Sequence, residues 1–590
     1  MPSTTDRELH CVKGFWQQVY RWGKDERLRR PPIKKQERLV DYSLVEMAAL
    51  LRAGELTSRQ ITLAYLARID RLNGPFEIYN DNGGYNAFVR IDREQALVQS
   101  DEADAWINNP EDPRGPAPLL CGIPVGVKDS IGIVDRESKN GAPEFSTNVA
   151  LRDATAVARL RDAGAVVLGH TICSRFSGST HGDFGCNAWD LDKVPGGSSS
   201  GSAIAPVARL CVATLGEETG GSMIIPAAAN GASAIKPSLG YVSTGGVMPL
   251  RIGWDVVGPM ARSVQDAAHV LAAIQGPDPD GDPQTLHTPL PFPPMPTEPR
   301  PGAAPLTGLT IGIPQTDWMT TSAVPPAQTY DADYSAAFER FKVQLQQLGA
   351  RVIEFAGVNM ADEVNCLYYA GPILWTIENP YTPVTPAMAT TYCQQYEANY
   401  WQAVEAFAAG RPEADQETLL RYYGTKYTHP VVEQLPCAVR IEAEQRRRQQ
   451  MALWQDALNV AGVDFMMVLP LGAHVGFRQG MGEPSGLQNQ RSYYDLPNAL
   501  GWPMVTFPIG HGRTGIDKRL PINAAFWGPR FSDPRLVQAA MDYQHHHPEY
   551  HREAPEDPPL RRPVALAQPF WPVSRESSTD PLVKEGSLRP

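Results

Sequence analysis

Pro195-Gly-Gly-Ser-Ser-Ser-Gly-Ser202, followed by Gly216-Glu-Glu-Thr-Gly-Gly-Ser-Met-Ile-Ile-Pro226, is the informative part of this 590-residue chain. Taken alone, a Gly/Ser run reads as a flexible linker. The first run lacks the Gly-Lys-Ser/Thr ending of a phosphate-binding loop and does not fit G-x-G-x-x-G. It also lacks the G-x-S-x-G turn that presents a nucleophile in another large class of α/β folds. Its surroundings say more. Ala203 to Leu210 reads as a helix and Leu210 to Leu215 as a buried strand. The second Gly-Gly-Ser therefore falls directly after a strand and before an apolar, Ala-rich segment. A serine on such a turn is exposed at a sheet edge. Glycines beside it let several backbone N–H groups converge on one point, which is what holding an oxyanion requires.

Outward from this stretch, helices and strands alternate. Ser43 with Glu46, and Thr57 with Gln60, are capping boxes that open two helices. Ala87 to Ile91 reads as a short strand, and Cys121 to Lys128 as a buried strand ending on a lysine. Thr155 to Ala163 is helical and Ala165 to Leu168 is a strand. Leu309 to Ile313 and Arg351 to Phe355 are strands flanking a helix from Tyr334 to Leu348. Val463 to Leu469 and Met504 to Pro508 are late core strands. This alternation argues for an α/β layered fold.

Between these elements lie three regions of different character. Residues 1–40 form a basic, polar extension with Phe15, Trp16, Tyr20 and Trp22 embedded in it, read as packed on the domain. Residues 277–305 are a Pro-rich loop inside the domain at 41–550. Residues 361–450 are mostly helical and rich in Tyr and Trp; Tyr368, Tyr369, Trp375, Tyr381, Tyr392, Tyr396, Tyr400 and Trp401 are candidates for a pocket wall. Residues 551–590 form a Pro-rich tail, expected to be poorly ordered.

Composition bounds the function. The formal charge of −12 argues against a protein built to grip nucleic acid. The 8 cysteines are scattered with no C-x-x-C pair, so neither a zinc knuckle nor a disulfide framework is indicated. Met1 to His10 has no apolar run of a secretory signal, and no stretch of 18 apolar residues suggests a membrane span. The expected location is cytoplasmic.

With these pieces in place, the chain resembles the amidase-signature family. Gly122-Ile-Pro-Val-Gly-Val-Lys-Asp129 is similar to its lysine strand, Pro195 to Ser202 to its Gly/Ser loop, and Thr219-Gly-Gly-Ser222 to its nucleophile loop. Ile235-Lys-Pro-Ser-Leu-Gly-Tyr241, Gly258-Pro-Met-Ala-Arg-Ser263, Asn498 to Pro508 and Leu520-Pro-Ile-Asn523 extend the match over roughly residues 41–545, with a more divergent middle third. The resemblance implies a large central mixed β-sheet with helices on both faces and a more helical middle insertion. It implies a Ser–cis-Ser–Lys triad of Ser222, Ser198 and Lys128, with a cis peptide between Gly197 and Ser198. Ser199 and Ser200 are the competing assignments for the bridging serine; the spacing of 24 positions before Ser222 favours Ser198.

The implied chemistry is amide hydrolysis through an acyl-enzyme. A lysine serves as a base at neutral pH when its surroundings favour the neutral amine, and an apolar strand does so. Lys128 would take a proton from Ser198, and Ser198 one from Ser222. Backbone N–H groups of Thr219, Gly220, Gly221 and Ser222 form the expected oxyanion hole. No metal or cofactor enters. His170 and His181 read as packing residues, and His545-His-His547 with His551 as a solvated tail. Two positions depart from the family pattern: Glu218 stands where Asp is usual, and Ile224 where Arg is usual. Loss of that arginine removes a fixed charge and donor fork, and packing by Met223 and Ile224 is a substitute brace. The expected partner is a small or medium carboxamide, and a homodimer is compatible with the sequence. An ammonia-donating glutaminase-like subunit, an acyltransferase and a non-catalytic binding protein are the other readings.

Overall fold

A computed structural model describes residues 35–314, 330–358, 437–478 and 495–563, apart from short gaps at 147, 179–181, 251–252, 514–518 and 561. The expectations for most of the N-terminal extension, for the aromatic residues of the middle region, for His181 and for most of the tail lie outside the described residues.

Ten strands form one sheet: β1 (Pro124–Lys128), β2 (Val166–Thr171), β3 (Ala213–Glu218), β4 (Ser233–Lys236), β5 (Val256–Ala261), β6 (Thr310–Pro314), β7 (Arg351–Phe355), β8 (Phe465–Val468), β9 (Met504–His511) and β10 (Pro521–Trp527). Their order is β2-β1-β3-β5-β4-β9-β10-β8-β6-β7. Pairing is parallel at both ends, in β2-β1-β3 and β8-β6-β7, and antiparallel through the centre. The sheet is therefore mixed, as the resemblance implies.

The helices are α1 (Leu44–Arg52), α2 (Ser58–Leu72), α3 (Arg93–Ile107), α4 (Thr155–Asp162), α5 (Ser200–Val207), α6 (Ile224–Asn230), α7 (Val264–Ile274), α8 (Ala332–Gln347), α9 (Cys437–Ala461), α10 (Asp495–Leu500), α11 (Asp533–His546) and α12 (Glu549–Arg552). Strand alternation assigns them to faces, because successive side chains point to opposite sides. Val125, Val127, Val167, Leu215, Val257, Val505, Phe507, Ile522, Ala524 and Phe526 share one core with side chains of α1, α4, α7, α8 and α11. Val166, Leu168, Ala234 and Met260 face a second core with α5 and Ala227 of α6. Met466, Met504, Ala525 and Trp527 continue that second face, against Trp454 and Leu458 of α9 and Leu496, Ala499 and Leu500 of α10. Both faces are covered, so the strands read as near-continuous apolar runs.

Both capping boxes form. Ser43 and Glu46 exchange bonds at the start of α1, and Thr57 and Gln60 at the start of α2, each cap being worth about 1 kcal/mol. The strand expected at Ala87 to Ile91 is reduced to a single bridge between Phe88 and Thr171. The cause is local: the Asn73 side-chain carbonyl accepts the N–H groups of both Ala87 and Phe88, at 2.9 and 2.8 Å, which takes them out of any ladder. The strand expected at Leu210 to Leu215 begins at Ala213 and runs on to Glu218. Leu210 N–H is still bonded back to Ala205 at the end of α5, and Arg209 turns the chain with φ +57°.

The Pro-rich run 277–305 lies against the domain. Asp278 accepts from Thr155 and Ser243, and Tyr241 donates to the Pro293 carbonyl. His545 and His546 stand in the last turn of α11 rather than in a tail, and His546 bonds the carbonyls of Asp542 and Gly302. Asp557 beyond them pairs with Arg68 and Arg71 of α2. Among the described residues no group of three His, Cys, Asp or Glu side chains is placed to hold a metal ion. No helix among them is long and apolar enough to cross a membrane.

Candidate active site

The centre of the site is where β1 and β3, parallel neighbours, end side by side. Lys128 closes β1, fully buried. Its Nζ donates to Ser198 Oγ at 2.8 Å, to the Glu217 carbonyl at 3.3 Å and to Glu217 Oε2 at 2.6 Å. The Gly197–Ser198 peptide is cis. The two competing serines are committed elsewhere: Ser199 Oγ donates to the Glu217 carbonyl at 3.0 Å and Ser200 Oγ to the Ile172 carbonyl at 3.4 Å. Only Ser198 among the three meets the lysine.

The Gly/Ser loop is pinned between β2 and the second loop. Ser174 N–H donates to the Ser198 carbonyl and Gly201 N–H to that of Ile172. A side chain on Gly201 would put its Cβ 2.1 Å from the Ala87 carbonyl oxygen, so α5 can start here only with glycine. Ser199 N–H donates to the Ser222 carbonyl at 2.9 Å, tying the two loops together.

Ser222 sits on the turn between β3 and α6. Of the three residues implied by the resemblance, it alone is reached by solvent, with 4% of its surface exposed against 0% for Lys128 and Ser198. Gly221 takes φ +99° in this turn. A Cβ on Gly220 would meet nothing within 4 Å, so the space above the loop is open.

Glu218 organises the loop from beneath. Its Oε1 accepts from Gly221 N–H at 3.0 Å and from Asn498 Nδ2 at 2.7 Å; its Oε2 accepts from the N–H groups of Met223 and Ile224. A carboxylate here satisfies the orphan donors at the start of α6, as an N-cap does. It also engages Gly221 N–H, which separates that group from the four expected oxyanion donors. Thr219, Gly220 and Ser222 are the remaining candidates. Ile224, where the family pattern has arginine, is fully buried in a cluster with Trp254, Trp454, Trp502 and Trp527. Trp454 and Trp502 contact Trp527 with ring centroids 5.4 and 5.7 Å away. The loop is thus braced by a carboxylate cap and aromatic packing.

Glu217 is the residue that sequence reasoning missed. Strand alternation turns it toward the face of Ala213 and Leu215, while Lys128 turns away from that of Val125 and Val127. The two meet because Lys128 ends β1 and Glu217 is the last residue but one of β3, where a long lysine side chain can curl past the sheet. One signal pointed to it: a buried strand running into two glutamates directly before the serine turn. Glu217 Oε1 in turn lies 2.8 Å from Thr219 Oγ, which lies 2.5 Å from Asp255 Oδ1.

His170 is buried beside β1. Its Nε2 faces the Ile131 carbonyl at 2.9 Å and its Nδ1 faces Arg90. Since Arg90 can only donate, the ring accepts at Nδ1 and carries its hydrogen on Nε2. Burial, reinforced by the Arg90 charge, pushes its pKa down from 6.5 to about 3. The unfolded chain therefore takes up a proton that the folded one refuses, and stability falls as pH drops from 6.5 toward 3. His170→Gln is expected to flatten this part of the profile. Melting temperatures from pH 7 to 4 check it; a slope unchanged from the parent would contradict it.

A buried lysine, a serine against it and a second serine on a glycine turn thus stand together at one end of the mixed sheet. The amidase family model matches residues 60–537, and the chain belongs to that family: it is an amidase, acting on amide C–N bonds. It is 30% identical over 518 residues to a glutamyl-tRNA(Gln) amidotransferase subunit of Chromohalobacter salexigens, covering 85% of this chain and 96% of the relative. The native peptide amidase of Stenotrophomonas maltophilia superposes with a TM-score of 0.62 at 26% identity, covering 88% of this chain and 98% of the other. A 6-aminohexanoate cyclic dimer hydrolase, at 19% identity, shares the fold with a TM-score of 0.64 over 89% of this chain and 99% of its own.

Proposed function

We propose that this amidase hydrolyses a small or medium carboxamide to carboxylate and ammonia or amine, with Ser222 as nucleophile, Ser198 as proton relay and Lys128 as base, in the cytoplasm. The observation that carries the reading is the 2.8 Å contact between Lys128 Nζ and Ser198 Oγ, on a loop whose next residue is bonded to Ser222. Neutral Lys128 accepts the Ser198 proton and Ser198 that of Ser222, whose oxygen attacks the amide carbon. The N–H groups of Thr219, Gly220 and Ser222 hold the oxyanion. Ser198 returns a proton to the departing amine, and water releases the acyl group by the same route in reverse.

The test is a screen of aliphatic, aromatic and amino-acid amides for ammonia release, with Ser222→Ala as the blank. At least one amide is expected to turn over with the parent and none with the variant. Equal release by both would overturn the assignment.

A second reading, an ammonia-donating component of an amidotransferase, is favoured by the 30% identity to a protein of that name over 96% of its length. Co-purification of the tagged chain with partner proteins, and ammonia release only in their presence, would select it.

A further inference from the structure

The mechanism needs Lys128 neutral, yet its Nζ sits 2.6 Å from a buried carboxylate. What the carboxylate does follows from counting hydrogens. Thr219 Oγ lies between Glu217 Oε1 at 2.8 Å and Asp255 Oδ1 at 2.5 Å. Both are hydrogen-bond distances, and all three groups are buried. A hydroxyl has one hydrogen and can donate to one neighbour only; an ionised carboxylate only accepts. Two oxygen–oxygen bonds need two hydrogens. Threonine supplies one, so the Glu217–Asp255 pair holds the other. Asp255 also lines a small pocket with Thr244, Val247, Pro249, Gly253 and Gln284.

We propose that Glu217, Thr219 and Asp255 form a proton-holding relay that takes the ammonium proton of Lys128 and so readies the lysine as a base. The inference rests on the triad reading above. The proton that the pair holds is the one Lys128 gives up. One Nζ–H bond breaks and an O–H bond forms on Glu217, leaving the amine with its electron pair beside Ser198 Oγ. Glu217 then donates to Thr219 Oγ and Thr219 to Asp255 Oδ1, which supplies the two hydrogens the two contacts need. No proton is lost: the ammonium becomes an amine, and the two carboxyl groups together hold one proton where they held none. When Lys128 later accepts the proton that comes from Ser222 through Ser198, the held proton passes through the Thr219 hydroxyl to Asp255, and Glu217 becomes the anion that balances the lysine's charge; the shift reverses when Ser198 draws the proton back for the leaving amine. Glu217, the Thr219 hydroxyl and Asp255 act through Lys128, as positioning residues.

The test compares Glu217→Gln, Glu217→Asp, Thr219→Val and Thr219→Ser with Lys128→Ala, on whichever amide the parent hydrolyses. Glu217→Gln and Thr219→Val are expected to lower kcat about 100-fold, the scale of a lost proton-transfer contribution, with KM held within about threefold. Thr219→Ser keeps the hydroxyl and is expected to recover at least about tenfold of what Thr219→Val loses; Glu217→Asp should recover part of the loss. Melting temperatures show which variants fold. If Glu217→Gln does not fold, the Thr219 pair decides alone. Parent-like activity of Thr219→Val, or equal loss in Thr219→Val and Thr219→Ser, overturns the relay. Activity surviving in Lys128→Ala overturns the triad reading instead.

Discussion

Lys128→Ala is expected to lower turnover of any accepted amide by about four orders of magnitude. Ser222 and Ser198 are ordinary hydroxyls and weak nucleophiles without a base. The distance of 2.8 Å from Nζ to Ser198 Oγ leaves no other base so placed among the described contacts of that serine. The same substitution leaves Glu217, 1% exposed, without its partner 2.6 Å away. Leaving a buried polar group unsatisfied costs about 1–3 kcal/mol, so a lower melting temperature accompanies the lost activity. The two effects separate in the double variant Lys128→Met/Glu217→Gln, which removes the ionisable group on each side: it should regain most of the stability and none of the turnover. Steady-state kinetics and thermal melts on the three proteins check this. A double variant with restored turnover would remove Lys128 from the chemistry.

Ile224→Arg is the second large effect. The substitution gives the chain the residue usual in its family, and it is expected to destabilise by about 3–5 kcal/mol. Ile224 is 0% exposed and packs against Trp254, Trp454, Trp502 and Trp527, a cluster with no space for a guanidinium and its hydration shell. The Glu218 carboxylate below is already taken by three backbone N–H groups and Asn498. A guanidinium drawing on it would loosen the start of α6 and the Ser222 turn. Melting temperature reports the cost directly. An Ile224→Arg protein as stable as the parent would mean that the aromatic cluster is not what braces this loop.

These two cases mark what was legible in the sequence. The α/β class and most elements could be read because capping boxes, apolar runs and glycine turns are local signals: Ser43 with Glu46 and the run to Lys128 are both where they were expected. Ala87 to Ile91 misled because a side chain outside the run, Asn73, competes for its N–H groups. The resemblance pointed to Lys128, Ser198 and Ser222, and the fold brings the first two into contact. Glu217 was not legible, since its contact with Lys128 depends on β1 and β3 being parallel neighbours, and that pairing is a property of the whole sheet. Glu218 was noticed as a departure, but its service to four donors became visible only once α6 and α10 were packed over it.

The central claim is that an acyl group passes through Ser222. Mass spectrometry of the enzyme quenched in mid-turnover, on an amide or activated ester it accepts, tests this most directly. One acyl adduct per chain is expected, mapped to the peptide carrying Ser222, absent from Ser222→Ala and longest-lived with acyl groups that water releases slowly. An adduct on another residue, or one that persists in Ser222→Ala, would contradict the account.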